Sequence, residues 1–131
     1  MRKPYEYLPK RRNDEAKLQE WVCRWLDSKD ILYVASLMGV NLGARVGAIR
    51  KRMGCRAGDH DLIILRTAGA YSGMTLELKV KGGHITSEQE IFQRRAQANN
   101  YYSVIMEPCF ELEKAFEIAK QFVEEYLLQG V

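Results

Sequence analysis

Asp61-Leu62-Ile63-Ile64-Leu65-Arg66, a turn over residues 67–73, and then Met74-Thr75-Leu76-Glu77-Leu78-Lys79-Val80-Lys81 decide the fold. Residues 62–65 are apolar without a break, the pattern of a strand covered on both faces. Residues 74–81 alternate instead: Met74, Leu76, Leu78 and Val80 take one face, and Thr75, Glu77, Lys79 and Lys81 the other. Strands this close in sequence are expected to lie side by side. Downstream, Gly82-Gly83 ends the second strand. Ser87 with Glu90 reads as a capping box opening a helix to about residue 98, and Asn99-Asn100 suit its C-terminal turn. Residues 102–106 read as a short strand that Pro108 breaks. A last helix spans 110–128, with Leu112, Ala115, Phe116, Ala119, Phe122, Val123 and Tyr126 as its buried stripe.

Upstream, residues 43–58 are punctuated by glycine, with a short basic helix expected over 44–53. Residues 31–37 read as a strand. Before it a helix runs over 13–28, with Asn13 as N-cap and Leu18, Val22, Trp25 and Leu26 on one side. Glu15 falls within that apolar stripe and Gln19 lies one turn further on. Residues 1–12 read as a flexible basic arm, leaving 13–131 as a single domain. The expected class is α/β, a mixed β-sheet flanked by helices.

The chain has 131 residues, 47% of them hydrophobic and 28% charged, which is globular composition for one domain. No apolar run is long enough to span a bilayer, and the N-terminal residues lack a secretory leader; a soluble intracellular protein with no membrane contact is expected. Cys23, Cys55 and Cys109 are too scattered for a zinc site and read as reduced, mostly buried thiols. A bound metal must then be held by carboxylates, which favours magnesium or manganese. The net charge of +3 is unevenly spread. Residues 1–106 carry 18 basic and 11 acidic side chains, whereas six acids face two lysines from Glu107 onward. Arg45, Arg50, Lys51, Arg52 and Arg56 form a run without an acid, as phosphate contacts require; a solvated loop is the bland alternative.

Asp61 heads an apolar strand, where a carboxylate is costly unless it is paired or on a metal. With the two strands adjacent, Asp61 and Glu77 can converge, and two carboxylates with a main-chain carbonyl suit magnesium. Lys79, on the same face as Glu77, can orient a water or steady a phosphate. Taken alone, Glu77 and Lys79 read as part of a strand face turned to water.

Gly58-Asp59-His60-Asp61-Leu62, then Glu77-Leu78-Lys79, then Gly83-His84-Ile85-Thr86-Ser87-Glu88-Gln89 together resemble the VRR-NUC family of the PD-(D/E)XK nuclease superfamily. Glu15 and Gln19 match the glutamate and glutamine of its first helix. His60 stands where the family usually has proline, which leaves Asp59 as a rival to Asp61; Asp61 is preferred because it precedes leucine and begins the strand. The resemblance implies a restriction-endonuclease-like fold. It also implies Mg2+ (or Mn2+) on Asp61, Glu77 and the Leu78 carbonyl, with no organic cofactor. Lys79 would position the attacking water and Glu15 would add a carboxylate, directly or through water. Gln89 would support the site or a phosphate, or simply begin its helix. Arg45, Arg50, Lys51, Arg52 and Arg56 would contact the DNA backbone; Lys81 would meet phosphate or solvent. The implied activity is endonucleolytic hydrolysis of DNA, selective for branched, flapped or four-way-junction substrates in repair or recombination, by a homodimer. A nucleic-acid-binding module without turnover is the alternative.

Overall fold

The computed structural model describes residues 10–36 and 43–131. The expected arm through Pro9 and the expected strand end at Leu37 lie outside the described residues. The elements are α1 (Lys10–Ser28), β1 (Tyr33–Ala35), α2 (Ala44–Arg52), β2 (Leu62–Ile64), β3 (Gly73–Glu77), α3 (Ser87–Ala98), β4 (Tyr101–Ile105) and α4 (Leu112–Leu128). The sheet order is β1-β2-β3-β4. β1 and β2 pair antiparallel, as do β2 and β3, with Leu62 opposite Leu76 and Ile64 opposite Met74. β3 and β4 run parallel, Thr75 beside Ser103, which makes the sheet mixed. α3 supplies the crossover a parallel pair requires.

Two layers cover the sheet. On one face Leu18, Val22 and Leu26 of α1 and Ala115, Ala119, Val123 and Tyr126 of α4 form one core with Leu62, Ile64, Met74 and Leu76. The Tyr126 hydroxyl donates to the Arg66 carbonyl, pinning α4 to the chain leaving β2. The other face carries α3, packed chiefly on β4 and β3. Every residue of β3 is therefore buried. The bland alternative, a polar strand face turned to water, does not hold: Thr75 and Glu77 lie beneath protein, and the ladder ends at Glu77 rather than Lys81.

Several boundaries move for local reasons. α1 begins at Lys10, so Asn13 is inside the helix and caps nothing; its Oδ1 is buried without a hydrogen-bond partner. The capping box of α3 belongs to Thr86 and Gln89, one residue before the expected pair: Gln89 N donates to Thr86 Oγ1 and Thr86 N to Gln89 Oε1, each at 3.1 Å. β4 and the last helix are shifted by one and two residues, to Tyr101–Ile105 and Leu112–Leu128, with Glu111 as N-cap. Phe116 and Phe122 are only half-buried at the margin of the α4 stripe. The thiols are less buried than expected: Cys23 and Cys55 are half-buried and Cys109 is exposed. Among the described residues no helix is long and apolar enough to cross a membrane.

Gly58 ties the entry to β2 against α3. Its φ is 92°, and a Cβ there would stand 2.5 Å from the backbone carbonyl of Glu88. Gly58→Ala should therefore lower stability by about 2 kcal/mol or more, from left-handed strain plus a contact with backbone that cannot swing aside. A urea unfolding curve unchanged from wild type would show that the close approach is absent.

Candidate active site

Antiparallel pairing of β2 with β3 carries Asp61 opposite Glu77, one step beyond the Leu62–Leu76 pair. The Asp61 amide donates to Glu77 Oε1 (3.1 Å), and the Leu78 amide donates to Asp61 Oδ2 (2.8 Å). Each strand thus hands a main-chain N–H to the acid of the other. Lys79 Nζ reaches Glu77 Oε2 at 3.5 Å and donates to the His84 carbonyl at 2.7 Å. Gln89 Nε2 donates to Glu77 Oε2 at 2.9 Å. Glu77 and Lys79 are each only 5% exposed.

Burial pushes the Asp61 carboxyl up from its ordinary range; the Leu78 amide opposes this, and the nearby Glu15 charge adds to it. Burial also raises Glu77, and the adjacent Asp61 raises it further against the pull of Lys79. Two carboxylates facing one ammonium, away from water, form an electrostatically unfinished group.

Glu15 joins this cluster from α1. Because the helix starts at Lys10, Glu15 sits past the first turn, so the macrodipole gives it no particular reason to be acidic. Its Oε1 lies 3.0 Å from where a Cβ on Gly83 would stand, and Lys79 Cδ lies 3.5 Å from the same point. The missing side chain at Gly83 is what admits Glu15. Gly83→Ala should displace the Glu15 carboxylate, a flexible neighbour, so we expect it to fold with little loss of stability and to shift the side-chain carboxyl NMR signal of Glu15. An unchanged Glu15 signal would show that the gap at Gly83 is not what admits it. Gln19 holds the Ser36 carbonyl (3.3 Å), while the Ser36 amide holds the Asp61 carbonyl (2.7 Å), so α1 also anchors the backbone of Asp61.

The remaining residues take simpler places. Asp59 Oδ2 accepts the Arg56 amide (2.9 Å) in the turn before β2, which leaves Asp61 as the carboxylate beside Glu77. Leu78 contributes its amide to Asp61. α2 buries none of its residues. Arg45, Lys51, Arg52 and, just beyond, Arg56 are exposed, and Arg50 is half-buried. Lys81 lies past the end of β3, mostly exposed, with Nζ 3.8 Å from Glu111 Oε1. A cavity of about 470 Å³ lies between α3 (Ile91, Phe92, Arg95) and Arg56, Ile63 and Thr75; Asp61, Glu77 and Lys79 are not among its lining residues.

Reading the sequence gave His60 no role beyond standing where the family usually has proline. The structure buries it to 1% exposure, with Nδ1 3.0 Å from Thr75 Oγ1, Nε2 3.1 Å from the Gln89 carbonyl and the ring 4.5 Å from that of Phe92. Thr75 Oγ1 is hydrogen-bonded in turn to Ser103 Oγ. Burial lowers the imidazole pKa. What could have revealed this line is a histidine, a threonine and a serine, each at a position the sheet buries.

No protein-family model matches the chain, and no curated protein matches its sequence. A solved structure titled "VRR_NUC domain protein" does match: 24% identity, TM-score 0.62, covering 85% of this chain and 88% of the other. The chain has a VRR-NUC fold. In this VRR-NUC fold the acids of β2 and β3, the lysine after β3 and the first turn of α3 meet at one end of the sheet.

Proposed function

We propose that this protein is a divalent-metal-dependent endonuclease that hydrolyses DNA phosphodiester bonds and prefers branched, flapped or four-way-junction DNA. The observation that carries the proposal is the exchange of main-chain hydrogen bonds that sets the Asp61 and Glu77 carboxylates side by side across the strand ends, with Lys79 against Glu77. The fit to magnesium rests on donor chemistry. Among the described residues no group of three or more histidine, cysteine, aspartate or glutamate side chains forms a complete cage. Magnesium, however, keeps several waters and binds through one or two carboxylates. Asp61 and Glu77 would hold it, with the Leu78 carbonyl as a third oxygen and Glu15 acting through water. When bound, the ion supplies a more acidic water and charge neutralisation at the phosphodiester.

The chain's own groups do the rest. The ammonium of Lys79 has three donors, two of them directed at His84 O and Glu77 Oε2; the third is available to a water or to a phosphate oxygen. Gln89 fixes the Glu77 carboxylate against rotation. Arg45, Lys51, Arg52 and Arg56 supply backbone phosphate contacts that position DNA without reading sequence. Pairing of two copies would present two equivalent sites to two strands; exposed Leu32, Val34 and Leu65 along the outer strand support such an interface.

Labelled junction, flap, duplex and single-stranded DNA should be compared with Mg2+, Mn2+ and chelator, alongside equilibrium binding across a salt series. We expect metal-dependent nicking, fastest on branched DNA, and binding that weakens as salt rises. Salt-dependent binding without cleavage in either metal would favour the non-catalytic module. Absence of binding to every DNA would dismiss the role of the basic run.

A further inference from the structure

We infer that His60 is a positioning residue whose imidazole sets Gln89 and, through it, the orientation of the Glu77 carboxylate. The inference rests on the reading of Asp61 and Glu77 as the metal-binding pair. Hydrogen-bond roles assign every proton in the line. The Gln89 carbonyl can only accept, so Nε2 of His60 carries the hydrogen. In a neutral ring Nδ1 then offers a lone pair, and the Thr75 hydroxyl must donate to it. That turns the other side of Thr75 Oγ1 into an acceptor, and Ser103 donates to it. The line runs one way from β4 through β3 to α3, and no buried polar group in it lacks a partner. The Phe92 ring packs against the imidazole, outside the line of hydrogen bonds.

Gln89 is then fixed at three points: its carbonyl on His60, its amide on Thr86 Oγ1, and its side-chain Oε1 on the Thr86 amide. With Oε1 committed to a donor, the side-chain amide cannot flip, and Nε2 must point at Glu77 Oε2. Of the contacts on Glu77, this one comes from outside β2 and the end of β3, so it couples the angle of the carboxylate to the seating of α3. A proline at position 60 could shape the backbone but could not carry this line.

Two substitutions separate positioning from mere support. His60→Gln can present an amide N–H at the place of Nε2, whereas His60→Asn reaches only the place of Nδ1. We expect His60→Asn to weaken Mn2+ binding roughly tenfold and lower kcat with little change in KM for DNA. His60→Gln should recover most of both. Phe92→Leu, which loosens the packing without touching the line of hydrogen bonds, should lower the melting temperature and leave Mn2+ affinity near wild type. Side-chain amide NMR signals of Gln89, recorded without metal, should be ordered in wild type and His60→Gln and averaged in His60→Asn. Gln89 staying ordered in His60→Asn overturns the inference, as does loss of Mn2+ affinity that merely follows melting temperature in all three variants. Wild-type protein that binds no Mn2+ yet shows His60-dependent ordering of Gln89 would sink the metal-site reading and leave the positioning role standing.

Discussion

Asp61→Asn should reduce metal-dependent cleavage by on the order of 10²-fold or more, and at pH 8 it should raise the melting temperature of metal-free protein. The two effects share one cause. Burial holds both carboxyls above their ordinary range in the folded state, with the Glu15 charge adding to the rise of Asp61 and the Asp61 charge to that of Glu77. In the unfolded chain they titrate near pH ~4. Between that pH and the raised folded values the native state binds more protons, so stability falls as pH rises through the window toward and past neutrality. An asparagine removes one of the opposed charges. Its Oδ1 can still accept the Leu78 amide, and its NH2 can donate to Glu77. Glu77→Gln should be equally inactive without the gain. Both of its oxygens already accept, one from Asp61 N and one from Gln89 Nε2, so an NH2 must face a donor. Thermal melts from pH 5 to 9 in chelator test this. A wild-type profile that rises with pH, or an Asp61→Asn profile parallel to it, would mean that the carboxyls are not held up.

Lys79→Ala should lose both activity and fold stability, the latter by about 3 kcal/mol, the range for unpairing a buried charge. Lys79 Nζ is the ammonium against Glu77 Oε2, and Lys79 also lowers the pKa of Asp61. Without it two acids press on each other with only amides to answer them. The double variant Lys79→Ala with Asp61→Asn should recover much of the lost stability and none of the cleavage, because the remaining carboxylate keeps its amide donors while the buried ammonium is gone. Urea unfolding of the four proteins closes the cycle. Additive losses would mean that Lys79 and Asp61 do not feel each other.

The alternation over 74–81, the apolar run at 62–65 and the stripe of the last helix were enough to place strands and helices in order, since side-chain period reports which face is buried. The same period put Glu77 and Lys79 together, and adjacency brought Asp61 to them. Boundaries were less legible. Thr86 and Ser87 are both capping residues, and only the position of Gln89 against Glu77 selects Thr86. Asn13 looked like a cap, but the basic residues before it continue the helix.

What the residues alone determined is which groups meet: two acids and an amine at the ends of strands that local pattern makes neighbours, within an order of motifs that resembles VRR-NUC. What only the tertiary structure decided is how that polar face is housed. Whether a strand's polar side meets water or protein depends on where a later helix lands, and α3 covers it through contacts separated by tens of residues, such as His60 with Gln89. Because those contacts are non-local, no window of sequence records them, and a face that taken alone reads as turned to water is a buried line of hydrogen bonds beside the site.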